Sequence, residues 1–293
     1  MRILILGGSG MLGHTFFKVW KANSEVKVTL RKRLEDYEHN QIFGIGEYFE
    51  GIDLRRLDTL RDVIISYKPD CIVNCSGVTK QICNEFNQED VFTLNALLPH
   101  KLAGLCDNFG TRLIQLSTDC IYSGKKGNYN ESDISDAEDL YGKSKYQGEL
   151  NKTNSLTLRK SSIGLELGNK HGLVEWFLNQ KGSILGFDKA IYSGFSSIHL
   201  AGLIESIIFD SPDLQGIYNI ASKPISKYYL LSSLQERIDN FELDIIRDDK
   251  IKIDRSLNPS KFLEQTNLKF PSWEKMLDDL GEEINKRKFD AKN

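Results

Sequence analysis

Tyr141 and Lys145 stand four residues apart in Tyr141-Gly142-Lys143-Ser144-Lys145, a spacing that puts both side chains on one face of a helix. An ammonium beside a phenol favours the phenolate and draws its pKa down from about 10, toward the range useful for proton transfer. Such a pair suits protonation of an oxygen as a carbonyl is reduced. Upstream, Ser117-Thr118-Asp119 closes the apolar run Leu113-Ile114-Gln115-Leu116. That places the triplet at the carboxyl end of a strand, where open α/β sheets dock ligands. A hydroxyl there donates to a carbonyl oxygen or orients the phenol. Each pattern alone has a plain structural reading, as a surface Tyr/Lys pair or as Ser/Thr/Asp capping of a turn. Their occurrence together, behind a glycine-rich turn, favours chemistry.

That turn is Gly7-Gly8-Ser9-Gly10-Met11-Leu12-Gly13, which follows the strand Arg2-Ile3-Leu4-Ile5-Leu6 and opens the helical segment 11–21. Glycines three apart between a strand and a helix leave backbone N–H groups free at the helix N-terminus, where a pyrophosphate binds. Val26-Lys27-Val28-Thr29-Leu30 supplies the second strand of a βαβ unit. The combination reads as a dinucleotide fold rather than as a turn that merely serves packing.

Strand and helix patterns alternate through the first half of the chain, which predicts a parallel sheet covered by helices on both faces. Strands are expected at 2–6, 26–30, 48–49, 71–75, 112–117 and 155–160, and helices at 11–21, 54–67, 88–109 and 139–151. Later segments read as helix at 173–180, helix at 197–209, strand at 216–221 and amphipathic helix at 227–239. The fold class is therefore α/β, a Rossmann-type doubly wound parallel sheet with a smaller C-terminal substrate-binding lobe. Residues 1–160, joined by about 196–222, form the dinucleotide-binding part, and 161–293 form most of the lobe. The active site is expected in the cleft between them.

Composition narrows the function classes. A chain of 293 residues with 40% hydrophobic content buries a full core without disulfides. Five cysteines, Cys71, Cys75, Cys83, Cys106 and Cys120, lie in or beside apolar segments and read as reduced thiols of a cytoplasmic protein. Cys71 and Cys75 have no second ligand pair, and His14, His39, His100, His171 and His199 have no metal-ligand spacing, so no metal site is expected. No apolar stretch approaches the ~20 residues that span a bilayer, and the chain begins with a core strand rather than a signal peptide. A net charge of −3 with interspersed signs leaves no electrostatic footprint for nucleic acid. Lys286-Arg287-Lys288 is expected to cap or solvate the last helix.

The end of the second strand carries Arg31-Lys32-Arg33 where an acid would accept bonds from a ribose 2′-hydroxyl. Cations suit a 2′-phosphate, so NADPH is expected over NADH, chiefly through Arg31 with help from Lys32. Arg255 offers a planar fork to a diphosphate, with a surface salt bridge as the alternative. Trp176 is a candidate wall of a sugar pocket, although aromatics spaced like Trp176 and Phe177 more often serve a core.

The chain resembles the extended short-chain dehydrogenase/reductases, and within them the dTDP-4-dehydrorhamnose reductase group. The resemblance runs over residues 1 to about 280. It is carried by the Gly7–Gly13 run, Val73-Asn74-Cys75-Ser76-Gly77, Asn95-Ala96, Ser117-Thr118-Asp119-Cys120-Ile121-Tyr122-Ser123-Gly124 and Tyr129-Asn130-Glu131. It continues through Tyr141-Gly142-Lys143-Ser144-Lys145 with Gly148-Glu149, Leu158-Arg159 and Asp254-Arg255-Ser256-Leu257-Asn258. The stretch from Ser117-Thr118-Asp119 to Lys145 is its most specific part.

What the resemblance implies is a catalytic trio of Thr118, Tyr141 and Lys145. Hydride would pass from a nicotinamide to the C4 ketone of a nucleotide-linked 4-keto-6-deoxy sugar, with Tyr141 as acid and Thr118 polarising the carbonyl. Lys145 would also hold the nicotinamide ribose. Gly7, Gly10, Met11, Leu12 and Gly13 map onto the phosphate loop, Asp53 and Leu54 onto the adenine contact, and Cys75, Ser76 and Gly77 onto the nicotinamide side. Thr79 falls where substrate is held.

Departures bear on the sugar. Thr79 is followed by Lys80-Gln81-Ile82-Cys83 rather than by an acid, and Ser161-Ser162-Ile163 stands where the group often has tryptophan. A UDP-linked N-acetylated 4-keto sugar is therefore a rival to the dTDP sugar, in either case for surface glycan synthesis. A second alternative is a non-catalytic NADP-binding subunit, since the regulatory beta subunit of methionine adenosyltransferase shares the family; the full Thr118/Tyr141/Lys145 set argues for an enzyme. A third alternative is a sibling epimerase or dehydratase with tightly held NAD; a dehydratase would carry Asp-Glu after the threonine, whereas Asp119-Cys120 follows here. The expected partner is a nucleotide-sugar substrate, and a homodimer is compatible with the sequence.

Overall fold

The structure is a computed structural model that describes residues 1–37, 40–168 and 171–290; His39 lies outside the described residues. The first half alternates as β1 (Arg2–Leu6), α1 (Met11–Trp20), β2 (Glu25–Thr29), β3 (Tyr48–Phe49), α2 (Asp58–Tyr67), β4 (Cys71–Asn74), α3 (Gln88–Phe92), α4 (Leu98–Phe109), β5 (Arg112–Leu116), α5 (Leu140–Gln147) and β6 (Ser155–Arg159). The second half adds β7 (Ser162–Ile163), α6 (Leu173–Leu178), β8 (Ser183–Phe187), β9 (Ala190–Tyr192), β10 (Phe195–Ser196), α7 (Ser197–Asp210) and β11 (Gly216–Asn219). It ends with β12 (Ile225–Ser226), α8 (Lys227–Gln235), β13 (Asp244–Asp248), β14 (Ile253–Asp254), α9 (Ser260–Gln265) and α10 (Trp273–Asp290).

Seven parallel strands form the central sheet in the order β11-β6-β5-β4-β1-β2-β3. This is the Rossmann-type α/β fold that the alternating pattern predicts. Side chains alternate across each strand, so Ile3 and Ile5 pack with Phe16, Phe17, Trp20 and Ile204 on one face. Leu4 and Leu6 pack with Leu60, Ile64 and Leu102 on the other. The register pairs Leu6 with Asn74, Asn74 with Gln115 and Leu116 with Leu158, which brings the carboxyl ends of β1, β4, β5 and β6 to one edge.

Element boundaries differ from the sequence pattern where a specific group intervenes. The expected helix over 54–67 begins at Asp58, because the Asp53 carboxylate accepts the Arg55 N–H at 3.0 Å and holds a turn there. The expected helix over 88–109 is interrupted by a wider turn at Thr93–Leu97, in which the Leu98 N–H bonds the Thr93 carbonyl. Pro99 has no N–H to give the Asn95 carbonyl, so the regular ladder breaks at that point. The helix over 139–151 stops at Gln147. Gly148 then lies against the freed Asn95 carbonyl, where a Cβ would collide with the oxygen.

The remaining elements build a second core of Ile163, Val174, Phe177, Leu230, Leu234, Leu277 and Ile284. Its sheets have only two or three short strands each, which the alternation pattern did not reveal. The 286–288 cluster is not simply solvated. Arg287 grips the buried Glu175 carboxylate at 2.6 and 3.1 Å, and Lys288 donates to the Asp239 carbonyl, so the end of α10 is fastened to α6.

Close helix-to-strand packing rests on Gly13, whose missing Cβ leaves room for the Gly7 carbonyl. Gly13→Ala forces the first turn of α1 off β1 and is expected to cost about 1–3 kcal/mol by overpacking, read as a lowered urea midpoint with unchanged slope.

Candidate functional site

At the carboxyl edge of the sheet, Gly7 takes a left-handed conformation with φ +83°, which only glycine adopts freely. The Gly7 and Gly8 amides are used by the Thr29 hydroxyl and carbonyl at 3.2 and 2.9 Å, and the Gly10 amide by the Gly7 carbonyl. Gly10 is the N-cap of α1, with no side-chain cap and no acid in the first turn. The first amides of α1 are thus left for an outside acceptor at the positive end of the helix. Gly7, Gly10, Met11 and Leu12 line a cleft of about 750 Å³. Gly13 does not line it and acts through packing.

Beyond this loop the cleft is walled by Thr29, Arg31, Asp53 and Leu54. Arg55 also lines it but is spent on Asp53 at 2.7 Å and Asp90 at 3.2 Å. The same arginine, through its hydrogen bonds, pulls the Asp53 carboxyl down to about 2. Arg31 is exposed and has no ion pair among the described residues, so its charge is available. The next residue, Lys32, is exposed and does not line the cleft, and its backbone N–H bonds the Tyr37 hydroxyl.

Cys75, Ser76, Gly77 and Thr79 follow β4 along the cleft floor. Asn74 fixes this turn by bonding Gln115 at 2.8 Å and accepting from the Ser76 hydroxyl at 2.5 Å. Asn95, buried in the widened turn, accepts from the Val78 N–H at 2.9 Å and donates to the Ser144 hydroxyl at 3.2 Å. Burial pushes the Cys75 thiol up to about 12, so it is protonated at neutral pH.

Thr118, Tyr141 and Lys145 meet in this cleft. Asp139 caps α5 by accepting the Gly142 N–H at 2.7 Å, and Lys80 holds the same carboxylate at 2.7 Å, which sets the helix that carries Tyr141. The Thr118 hydroxyl donates to Asp119 at 3.1 Å and accepts from the Cys120 N–H at 3.1 Å. Electrostatics correct the expectation drawn from spacing. Burial raises the Tyr141 phenol well above its ordinary value, with the Cys120 thiol adding and a hydrogen bond to Thr118 opposing. The Lys145 ammonium donates to the Leu116 carbonyl at 2.7 Å. Burial, then the neighbouring Lys160, brings Lys145 itself down to about 8.

Across the cleft, Lys160, next after β6, is joined by Ser161, Ser162, Tyr192, Lys227 and Arg255 from the later part of the chain. Arg255 spends its Nε on the Tyr122 carbonyl at 2.7 Å, which leaves the outer guanidinium nitrogens for an anion. Trp176, a candidate wall of the sugar pocket, lies on α6. Its ring is 40% exposed on α6 and does not line the cleft, while the adjacent Phe177 is fully buried in the lobe core.

The family described as RmlD substrate binding domain matches residues 1–163. The chain belongs to this family. A dTDP-4-dehydrorhamnose reductase of Aggregatibacter actinomycetemcomitans is 27% identical over 238 residues, 78% of this chain and 76% of that protein. Methionine adenosyltransferase 2 subunit beta of Danio rerio is 31% identical over 154 residues, which are 50% of this chain and 42% of that longer protein. A hypothetical dTDP-4-dehydrorhamnose reductase of Sulfolobus tokodaii superposes with a TM-score of 0.74 at 25% identity, covering 92% of this chain and 96% of that one. A dTDP-4-dehydrorhamnose reductase of Bacillus anthracis, solved with NADP, shares the fold with a TM-score of 0.76 at 19% identity over 96% and 98% of the two chains. The resemblance carried by the motifs is thus confirmed, and this RmlD-family chain is an oxidoreductase of the short-chain dehydrogenase/reductase superfamily.

Beneath the RmlD-family site lies a group of residues whose positioning part no spacing rule exposes. Glu149, just past α5, and Arg159, at the end of β6, form a salt bridge at 2.7 Å with both side chains 3% exposed. Glu149 also accepts from Ser117 at 2.6 Å, and Arg159 donates to the Tyr122 hydroxyl at 2.8 Å. Tyr122 in turn stacks on Tyr129 with ring centres 4.0 Å apart. Only the tertiary meeting of β5, α5 and β6 identifies this network. Glu149→Ala strands a buried guanidinium and is expected to cost about 3–5 kcal/mol, measured by chemical denaturation.

Proposed function

We propose that this chain uses NADPH, in preference to NADH, to reduce the C4 ketone of a nucleotide-linked 4-keto-6-deoxy sugar in the cytoplasm for a surface glycan. The observation that carries the reading is the placement of Thr118, Tyr141 and Lys145 in one continuous cleft, between a glycine-rich helix N-terminus and cationic residues of the second lobe. A division into a dinucleotide part, 1–160 with 196–222, and a sugar lobe over most of 161–293 accompanies it.

The residues present fit the dinucleotide. Gly7 and Gly10 leave the backbone open to a close approach, α1 has no side-chain cap, and Arg31, which has no ion pair among the described residues, would meet a 2′-phosphate. Met11, Leu12, Asp53, Leu54, Cys75, Ser76 and Gly77 would line the bound molecule. When bound, the reduced nicotinamide supplies the hydride.

The protein's own groups do the rest. Tyr141, held protonated by burial, gives its proton to the sugar oxygen as negative charge develops there. Thr118 supports that oxygen by hydrogen bonding. Lys145 holds ribose hydroxyls while charged, and Thr79 and Arg255 hold the nucleotide sugar, with Arg255 on its diphosphate. The 27% identity to a named reductase and the complete trio support an enzyme over a purely regulatory subunit.

Loss of absorbance at 340 nm with NADPH and a freshly made 4-keto-6-deoxy sugar nucleotide, dTDP- or UDP-linked, tests the reading; equal kcat/KM for NADPH and NADH removes the Arg31 argument. Tyr141→Phe is expected to lower kcat about 10²- to 10⁴-fold with dinucleotide binding intact. For the parent enzyme, kcat/KM for the dinucleotide is expected to be level below pH 8 and to fall above it. The reason is that Lys145 loses its proton as pH rises through about 8 while Tyr141 stays protonated.

A further inference from the structure

Lys160 ends the turn after β6, one residue beyond Arg159, and its side chain lines the cleft on the lobe side. An ammonium has three N–H donors. This one gives a single bond, to the Ser162 hydroxyl at 3.1 Å, and has no ion pair among the described residues. Its position is fixed beside the reacting groups, because the Asp119 N–H donates to the Lys160 carbonyl at 3.3 Å and Asp119 directly follows Thr118. Around it stand Cys75, Asp119, Cys120 and the second ammonium of Lys145.

A cation drawn out of water beside another cation costs folding free energy unless a partner offsets it. Burial opposes the charge of Lys160, and among the described residues its one hydrogen bond is to the neutral Ser162 hydroxyl. Stability sacrificed in a cleft marks a group kept for a ligand. Ser161 and Ser162 line the same cleft beside it.

We propose that Lys160 is a specificity-determining residue that donates to an acceptor oxygen borne by the sugar, on a ring carbon one or two bonds from its reacting carbonyl. The inference rests on the sugar-nucleotide reading and deepens it. The oxygen has two sources of the same chemistry, a ring hydroxyl at C3 or the acyl carbonyl of an acylamino group at C2.

Calorimetric titration of the NADP-saturated protein tests it with dTDP- and UDP-linked 6-deoxyhexoses, their 3-deoxy and 2-acetamido forms, and free dTDP and UDP. Lys160→Met is expected to weaken sugar-nucleotide binding roughly 10- to 100-fold, the scale of one hydrogen bond to a charged group, while leaving free dTDP and UDP unchanged. Its melting temperature should equal or exceed that of the parent, and Lys160→Arg should recover part of the loss. A penalty that disappears with the 3-deoxy sugar assigns the hydroxyl, and one confined to 2-acetamido sugars assigns the acyl carbonyl. The inference is overturned if Lys160→Met binds sugar nucleotides as tightly as the parent, or if free dTDP and UDP weaken equally. A parent protein that binds no sugar nucleotide removes the reductase reading itself, and this inference with it.

Discussion

The buried ion pair of Glu149 and Arg159 is the constraint on which the site depends. It joins the segment after α5 to the end of β6, and through Ser117 and Tyr122 it reaches both sides of Thr118. Two charges that are 3% exposed are costly to desolvate, and here the hydrogen bonds of Ser117 and Tyr122 satisfy atoms the pair leaves over. The geometry is specific for that reason. A bidentate arginine fork tolerates little displacement, so the three chain segments that carry Thr118, the Tyr141 helix and Lys160 hold one arrangement.

Above this clamp, electrostatics divide the work. Burial opposes charge on both members of the Tyr141/Lys145 pair, raising the phenol and lowering the amine. In the proposed reduction the acid must be protonated beforehand, which a high phenol pKa favours. The Leu116 carbonyl, rather than the phenol, takes the Lys145 proton donor in this state of the cleft. Spacing on a helix brings two side chains to one face but does not say which acceptor each finds.

Much of the fold was legible because it follows local periodicity. The strands β1 to β6 are short apolar runs between turns, and the glycine run marks where β1 passes into α1. What local pattern missed has particular causes. Pro99 removes one donor and widens a helix far from its ends. The strands of the second lobe are two to five residues long and pair with distant partners, as β8 does with β13, so no alternating stretch announces them. Trp176 and Phe177 show the same limit in a side chain. Adjacent aromatics on one helix part company, one into the lobe core and one to the surface.

By itself, the sequence determined the doubly wound sheet, the glycine-rich turn between β1 and α1, and the helix face shared by Tyr141 and Lys145, because residue type and short-range spacing encode strand, turn and helix face. Only the tertiary structure decided the raised phenol of Tyr141, the pairing of Arg55 with Asp53 and Asp90, the exposure of Trp176 beside a buried Phe177, and the placing of Lys160 next to Asp119. Those outcomes depend on burial and on groups far apart in the chain. Coulombic and desolvation effects act through space, and no interval along the sequence carries them.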